Sequence, residues 1–149
     1  MAHWRKNFSG PDLESADLPN DGKGKAMITI TAIGGKELED GAGKKGLITF
    51  TPSPNFATKK TTWLAAVTVG HQLAKMFGPD DSNWIGKRVV IFAATVSGEP
   101  ALRVYGSPDI TSECEVKVRE FGGGRRLWKM VPIKLPTAGD SAAAAAGAP

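Results

Sequence analysis

The side chains of this sequence with the clearest chemical potential are basic residues and aromatic rings. Basic residues recur in nearly every predicted β element, and aromatic rings lie near them. Proteins that bind single-stranded nucleic acid use this mixture, because cations follow phosphates while flat rings stack on bases of any sequence. The sequence therefore predicts a nucleic-acid-binding set that comprises Lys59, Lys60, Lys87, Arg88, Arg103, Tyr105, Arg125, Arg126, Trp128 and Lys129.

A plainer interpretation of these residues stays open. Basic pairs at strand starts usually form a solvated face, and aromatic rings in a small β domain usually belong to its core. Trp63 and Trp84 are assigned to the core, because one heads an apolar helix face and the other precedes a glycine-assisted turn. Trp4 and Trp128 lie among cations in terminal segments and are better suited to contact a ligand or partner.

Residues for catalysis or metal binding are sparse. His3 and His71 are the only histidines, and neither belongs to a Cys or carboxylate cluster with metal-ligand spacing. Cys114 lies in a predicted strand, where a small buried thiol is a better interpretation than a nucleophile. The lysine-bearing glycine stretches lack the spacing and the Ser or Thr of a phosphate-binding loop. The sequence therefore predicts a non-enzymatic protein without a metal or cofactor.

Charge and composition favour a polyanionic partner and a reducing compartment. The 149 residues carry a formal net charge of +4 and have a pI near 9.3, a mild excess that simple solubility could also explain. The single cysteine excludes an internal disulfide framework. No apolar run approaches bilayer-spanning length, and the N-terminus lacks the apolar segment of a signal peptide. These features predict a cytoplasmic protein that has no membrane partner.

The elements that must position the basic residues follow from hydrophobic periodicity. The segments 27–33 and 46–52 are rich in β-branched residues, and the first alternates with period two, so both are predicted strands. The other predicted elements are a short third strand at 56–60, a helix capped by Thr61 or Thr62 and ending before Gly78, and strands at 87–96 and 101–105. The apolar face of the helix is predicted to comprise Trp63, Val67, Gly70, Ala74 and Phe77, widened by Leu64 and Leu73.

This order predicts a mainly β protein with an OB-fold, a partly open five-stranded barrel that has one helix between strands three and four. An open sheet with one helix is the alternative, since sequence alone cannot close a barrel. The predicted organisation is an N-terminal arm at 1–25, an OB-like barrel at 26–110, an appended basic β-hairpin at 111–136 and a disordered alanine-rich tail at 137–149.

Apolar residues define a predicted core and an arm that docks on it. The arm is predicted to be anchored by Trp4, Phe8, Leu13 and Leu18. The predicted core comprises Met27, Ile28, Ile30, Leu47, Phe50, Trp63, Val67, Phe77, Trp84, Ile85, Val89 and Ile91. In the appended hairpin, Glu113, Glu115, Lys117 and Arg119 alternate with apolar residues, and three glycines at 122–124 make the turn.

Part of the chain resembles a known family. The run from Leu73 to Gly78, continued by Asp80-Asp81-Ser82-Asn83-Trp84-Ile85-Gly86-Lys87-Arg88-Val89 and then Leu102-Arg103-Val104, is similar to a widespread family of small tailed-phage and prophage proteins. With the first two strands, the resemblance covers roughly residues 12 to 105 and ends before the basic hairpin. The family is encoded near replication and recombination genes. The resemblance therefore implies an OB-like single-stranded DNA-binding protein in the host cytoplasm, and it supplies no catalytic residues.

Two functional classes stay open. The first is a non-enzymatic phage protein that binds single-stranded DNA during replication or recombination. The second is a phage structural or host-interaction protein that uses the C-terminal hairpin as a protein-binding edge. A homo-oligomer is compatible with both. Salt separates the classes, because nucleic-acid binding weakens steeply with salt whereas an apolar protein interface need not.

Overall fold

The computed structural model describes residues 12–20, 22–37, 44–54, 56–96, 98–119 and 124–134. The predicted anchors Trp4 and Phe8 and the predicted tail at 137–149 lie outside these residues. The described elements, in chain order, are a 3-10 helix at Ser15–Asp17, β1 (Ala26–Glu37), β2 (Lys44–Pro52), β3 (Thr62–Ala65), α1 (Val67–Phe77), a 3-10 helix at Asp81–Trp84, β4 (Arg88–Val96), β5 (Glu99–Ser107), β6 (Cys114–Arg119) and β7 (Arg125–Pro132).

The described strands form one seven-stranded mixed sheet in the order β3-β2-β1-β4-β5-β7-β6. Neighbouring strands are antiparallel except β5 and β7, which are parallel. The prediction of a mainly β protein with one helix between the third and fourth strands is confirmed, as is the C-terminal hairpin. The sheet is open, and β3 and β6 are its outer strands among the described residues.

Period-two burial explains the central strand. Ile28 and Ile30 of β1 are completely buried, whereas Met27 and Thr29 between them are half-buried. β-branched side chains fit such a pleated, partly covered surface well. The buried residues of β1 belong to the same apolar cluster as Val69 and Leu73 of α1. One face of the sheet and the helix therefore share a core.

The predicted third strand at 56–60 is wrong. That segment has no strand structure, and the third strand is β3, which pairs with β2 through partners such as Trp63 and Ile48. Trp63 and Ala65 are buried, while Thr62 and Leu64 are half-buried, so this segment has the period of a strand. Trp63 is therefore a strand residue rather than the first residue of the helical face. Neither threonine caps the helix, because α1 begins only after Ala66.

The predicted helix face is wrong in part, because Leu73 is its only member on α1 that is buried. The buried residues of α1 are Thr68, Val69, Gln72 and Leu73, whereas Val67 is 73% exposed. The buried amide of Gln72 fixes the rotation of the helix, because it makes two hydrogen bonds to the backbone of Val104 in β5. An apolar pattern does not reveal this polar contact. In this rotation Val67, at the start of the predicted face, is exposed, whereas Phe77 at its end packs against the core.

The core extends beyond the predicted one. Six predicted core residues are fully buried: Ile28, Ile30, Phe50, Trp63, Val89 and Ile91. Met27, Leu47, Phe77 and Trp84 are half-buried. The assignments of Val67 and Ile85 to the core are wrong, since Ile85 is 49% exposed. The arm and the hairpin supply further buried residues, namely Leu13, Leu18, Val118, Trp128 and Met130. Both terminal segments therefore pack on the central strands, and the prediction that Leu13 and Leu18 are anchors is confirmed.

Candidate nucleic-acid interface

The β6–β7 hairpin has one packed face and one exposed face. Its register pairs Val116 with Trp128 and Val118 with Arg126, and alternate pairs in an antiparallel ladder point to opposite faces. The pairs on the other face are Glu115 with Lys129, Lys117 with Leu127, and Arg119 with Arg125. All six residues of this second face are exposed. We call it the hairpin outer face.

Basic residues dominate the hairpin outer face. It carries four cations, Lys117, Arg119, Arg125 and Lys129, and one acid, Glu115. Lys129 lies opposite Glu115 and also has its Nζ atom 3.9 Å from the Oε1 atom of Glu113. The other three cations have no acidic partner in the hairpin register. The outer face is therefore a positive surface with the apolar side chain of Leu127, 52% exposed, between the cations.

Arg119 and Arg125 are direct cross-strand partners. Like charges directly opposite each other on a β ladder destabilise the pair, so this arrangement is unfavourable in the free protein. A bound anion would reverse the sign of that interaction, since guanidinium groups bind phosphate oxygens through charge-assisted hydrogen bonds. Two facing arginines on an exposed strand pair are thus well suited to a phosphate group.

Trp128 is not available to stack on a base. Its side chain is only 4% exposed, and the guanidinium carbon of Arg126 lies 4.1 Å from its ring centre. The guanidinium carbon of Arg103 lies 5.4 Å from the same ring. Trp128 therefore packs between two cations, and its assignment to a ligand surface is corrected. Arg126 is exposed, but its Nη1 atom also donates a hydrogen bond of 2.7 Å to the carbonyl of Thr95.

Arg103 and Tyr105 of β5 are likewise engaged within the protein. Arg103 is 5% exposed and donates a hydrogen bond from Nη1 to the carbonyl of Leu102. Tyr105 is half-buried, with the Nζ atom of Lys25 4.6 Å from its ring centre and Phe92 in an edge contact at 5.9 Å. The assignment of Arg103 to an exposed binding groove is therefore corrected. A nucleic acid would have to displace Lys25 to reach the ring of Tyr105.

Arg88 forms the shortest ion pair among the described residues. Its Nη2 atom lies 2.6 Å from Oδ1 of Asp109, while its backbone N–H and Nε donate to Oδ2 at 2.7 and 3.3 Å. These hydrogen bonds hold the pKa of the Asp109 carboxyl below its ordinary value, although partial burial opposes the shift. Ser107 joins the cluster, since its hydroxyl donates to the Arg88 carbonyl and accepts from the Asp109 N–H. Arg88 thus fastens the start of β4 to the segment after β5.

The remaining predicted cations do not gather beside the hairpin. The Nζ atom of Lys60 forms an ion pair of 2.8 Å with Asp17, which ties the arm to the segment before β3. Lys59 is exposed in that same segment, at the opposite end of the strand order from β6. Lys87 lies over the ring of Phe77 at 5.9 Å. Of the ten predicted residues, Arg125 and Lys129 alone belong to the hairpin outer face.

Lys117 and Arg119 complete the outer face but were not among the predicted binding residues. A sequence signal for them exists, because their alternation with Val116 and Val118 places them on one side of a strand. Glu113 and Glu115 alternate with them in the sequence, so the pattern within this segment alone does not set the two cations apart. The register with β7, which brings Arg119 opposite Arg125, is what concentrates the positive charge.

An apolar groove of about 410 Å³ lies between α1 and the β1–β2–β3 end of the sheet. Its lining includes Ile33, Ile48, Val67, Gly70 and Trp84, with His71 and Asp81 as polar members. Such a surface does not match a polyanion, because its described lining includes no lysine or arginine. Val67, the exposed apolar residue at the start of α1, contributes to this lining.

The described parts of the chain contain one cysteine and no cluster of metal-ligand side chains. Burial raises the pKa of the half-buried Cys114 thiol, which lowers its thiolate fraction at neutral pH. No group of three or more His, Cys, Asp or Glu side chains close enough to share a metal ion occurs among these residues. The described helices include none with the length and apolar character needed to cross a membrane.

The comparisons with known proteins do not name this fold. No protein family, curated protein or solved structure matches the chain.

Proposed function

We propose that the protein is a non-enzymatic single-stranded nucleic-acid-binding protein that holds the phosphate backbone on the hairpin outer face. The observation that carries the proposal is the Arg119–Arg125 pair, two like charges opposite each other on an exposed ladder. Lys117 and Lys129 flank this pair on the same face. Neighbouring β-strands lie about 4.8 Å apart. Four cations on two adjacent β-strands can therefore contact successive phosphates of one nucleic-acid strand.

The order of the first five β-strands supports single-stranded nucleic acid as the ligand. The run β3-β2-β1-β4-β5, with α1 between β3 and β4, is compatible with an OB-fold and supports this part of the proposal. OB-folds commonly bind oligonucleotides. The resemblance of residues 12 to 105 to phage proteins favours single-stranded DNA as the ligand, with a role in phage DNA replication or recombination in the host cytoplasm.

Burial of Trp128 changes the expected binding mode. Base stacking supplies a large part of the affinity of most single-strand binders, and no aromatic ring lies on the hairpin outer face. Binding should therefore be dominated by phosphate contacts and should depend strongly on salt. With about 0.7 units of log–log slope per phosphate on a single strand, four contacts give a slope near −2.8.

A fluorescence-anisotropy titration with a labelled single-stranded oligonucleotide at several salt concentrations tests the proposal. The double variant R119A/R125A should flatten the salt slope by about 1.4 units, for two lost phosphate contacts. The matched control is K23A/K59A, which removes two exposed cations away from the hairpin. Equal losses in both double variants would mean that binding follows net charge rather than this surface, and no binding by the parent at low salt would reject the proposal.

The stability of R119A/R125A provides an independent readout. Removing one or both arginines relieves the cross-strand repulsion, so the variant should unfold at an equal or higher urea concentration than the parent. If R119A/R125A is more stable than the parent and binds nucleic acid more weakly, the Arg119–Arg125 pair serves binding and lowers the stability of the fold. A stability loss would instead assign both arginines to the fold.

The alternative function, a structural or host-interaction protein, is supported by one observation. β6 is an outer strand of the sheet, and outer strands can receive an added strand from another chain. An interface of that kind would lose little affinity as salt rises, in contrast to the phosphate-dominated mode.

A further inference from the structure

We infer that the outer edge of β6 pairs with β6 of a second copy of this chain, antiparallel, about a twofold axis through Val116. β6 pairs with β7 on one side only, and none of the described strands pairs with its other side. The backbone groups on that side need partners from water or from another chain. The inference does not depend on nucleic-acid binding.

The charges along β6 are antisymmetric about Val116. Glu115 precedes it and Lys117 follows it. Arg119 lies three residues after Val116, and Glu113, just before the start of β6, lies three residues before it on the side of Lys129. An antiparallel twofold pairing centred on Val116 places Glu115 opposite Lys117 of the second copy, and Glu113 opposite Arg119 of the second copy. Each contact occurs twice by symmetry. Opposite charges directly across a ladder stabilise the pairing.

Other pairings of the same two strands are unfavourable. A twofold axis at Cys114 would place Glu113 opposite Glu115, and an axis at Val118 would place Lys117 opposite Arg119. A parallel, in-register pairing would place every charge opposite itself. An axis at Glu115 or at Lys117 would place that residue opposite its own copy. Charged side chains on an outer strand oppose edge-to-edge association, and among the centres from Cys114 to Val118 only Val116 leaves no like charges directly opposite each other. The charge pattern therefore selects one partner and one register.

The packed face of β6 is compatible with this register. Val116 would meet Val116 of the second copy, and Cys114 would meet Val118 of the second copy. Val116 and Cys114 are half-buried in the single chain, and Val118 is buried, so the edge already presents an apolar strip. Pairing would cover more of this strip and extend the seven-stranded sheet continuously into a second one. Both hairpin outer faces would then lie on the same side of the joined sheet.

Sedimentation velocity of the full chain over a concentration series, without nucleic acid, tests the inference through a charge swap. The parent should show a monomer–dimer equilibrium. Both E115K and K117E turn two attractive cross-strand contacts into repulsive ones, so each should weaken dimerisation by roughly tenfold or more. The double variant E115K/K117E restores opposite charges across the axis and should dimerise nearly as well as the parent. A parent that stays monomeric, or single variants that dimerise like the parent, would overturn the inference.

A cysteine placed on the axis gives a second, geometric test. In the Cys114→Ser background, Val116→Cys brings two sulfur-bearing side chains directly opposite each other, with Cβ atoms about 4.5 to 5.5 Å apart. Oxidation should yield a covalent dimer on a non-reducing gel. The control Ser82→Cys in the same background places an exposed thiol in the 3-10 helix Asp81–Trp84, far from β6 in the chain, and should remain monomeric. Equal cross-linking of both variants, or of neither, contradicts the proposed register.

Discussion

Gln72 of α1 makes two hydrogen bonds to the backbone of a single residue, Val104 of β5. Its Nε2 atom donates to the Val104 carbonyl and its Oε1 atom accepts from the Val104 N–H, both at 2.9 Å. The amide thus occupies the place that a neighbouring strand would take along this part of β5. The parallel β5–β7 pairing begins only two residues later, at Gly106. A helix side chain therefore satisfies a part of the β5 edge that β7 does not cover.

Replacing Gln72 with Leu should destabilise the protein strongly. The variant leaves two buried backbone groups of Val104 without partners, and each such group costs about 1 to 3 kcal/mol, so a total of roughly 2 to 6 kcal/mol is expected. Urea unfolding measures the effect. His71→Ala is the control, because this neighbouring side chain is exposed and should change stability by less than about 0.5 kcal/mol. Similar stability of Q72L and the parent would show that Val104 finds other partners.

Trp128→Ala should reduce stability rather than remove a base-stacking platform. Truncation of a large buried aromatic side chain costs about 3 to 5 kcal/mol. It also removes the ring on which Arg103 and Arg126 pack. Thermal and urea unfolding provide the measurement, with Leu127→Ala as the control on the exposed face of the same strand. A W128A variant that melts with the parent but binds nucleic acid weakly would restore Trp128 to the ligand surface.

The Arg88–Asp109 pair should make stability depend on pH in acid. The pKa of Asp109 is lower in the folded protein than in the unfolded chain, so its contribution is complete above the unfolded value of about 3.9. The contribution is lost as the pH falls through that value toward the folded pKa. Asp109→Asn should cost about 1 to 2 kcal/mol at neutral pH, a modest amount because the Arg88 side chain is 40% exposed.

The measurement for Asp109 is the free energy of unfolding of parent and variant from neutral pH down to about pH 3. The two curves should converge as the pH falls. Glu99→Gln, an exposed carboxyl in the β4–β5 turn region, is the control and should run parallel to the parent. A constant difference between parent and D109N across this range would mean that ionisation of Asp109 does not contribute.

Two glycine substitutions should have opposite effects. A side chain at Gly106 would overlap the carbonyl oxygen of Val131, where β5 meets β7, so Gly106→Ala must push these strands apart. A loss of about 1 to 3 kcal/mol is expected, as for other overpacked sites. A Cβ atom added to Gly70 of α1 would meet open space. Gly70→Ala should therefore stabilise the helix by up to about 1 kcal/mol. Urea midpoints of the two variants test this contrast.

The sequence by itself determined the elements whose pattern is local. Period-two alternation of residue types at 27–33 predicts β1, and the glycines after Arg119 predict the turn of the C-terminal hairpin. Gly78 marks the helix end, where it adopts a positive φ of 101°. These features depend on residues close together in the chain, so periodicity and turn chemistry are sufficient to predict them.

The tertiary structure decided which side of each element is covered. Trp128 and Arg125 lie three residues apart on the same strand, yet one is buried and the other exposed, because β5 and α1 cover only one face of the hairpin. Basic residues divide in the same way: Arg88 and Lys60 are held by acids distant in the sequence, whereas Arg119 and Arg125 face each other. Period-two alternation tells which residues of a strand share a face, but it does not tell which other element packs against that face. Contacts between distant segments decide which cations pair with acids inside the fold and which lie on the candidate interface. Local sequence does not encode these contacts.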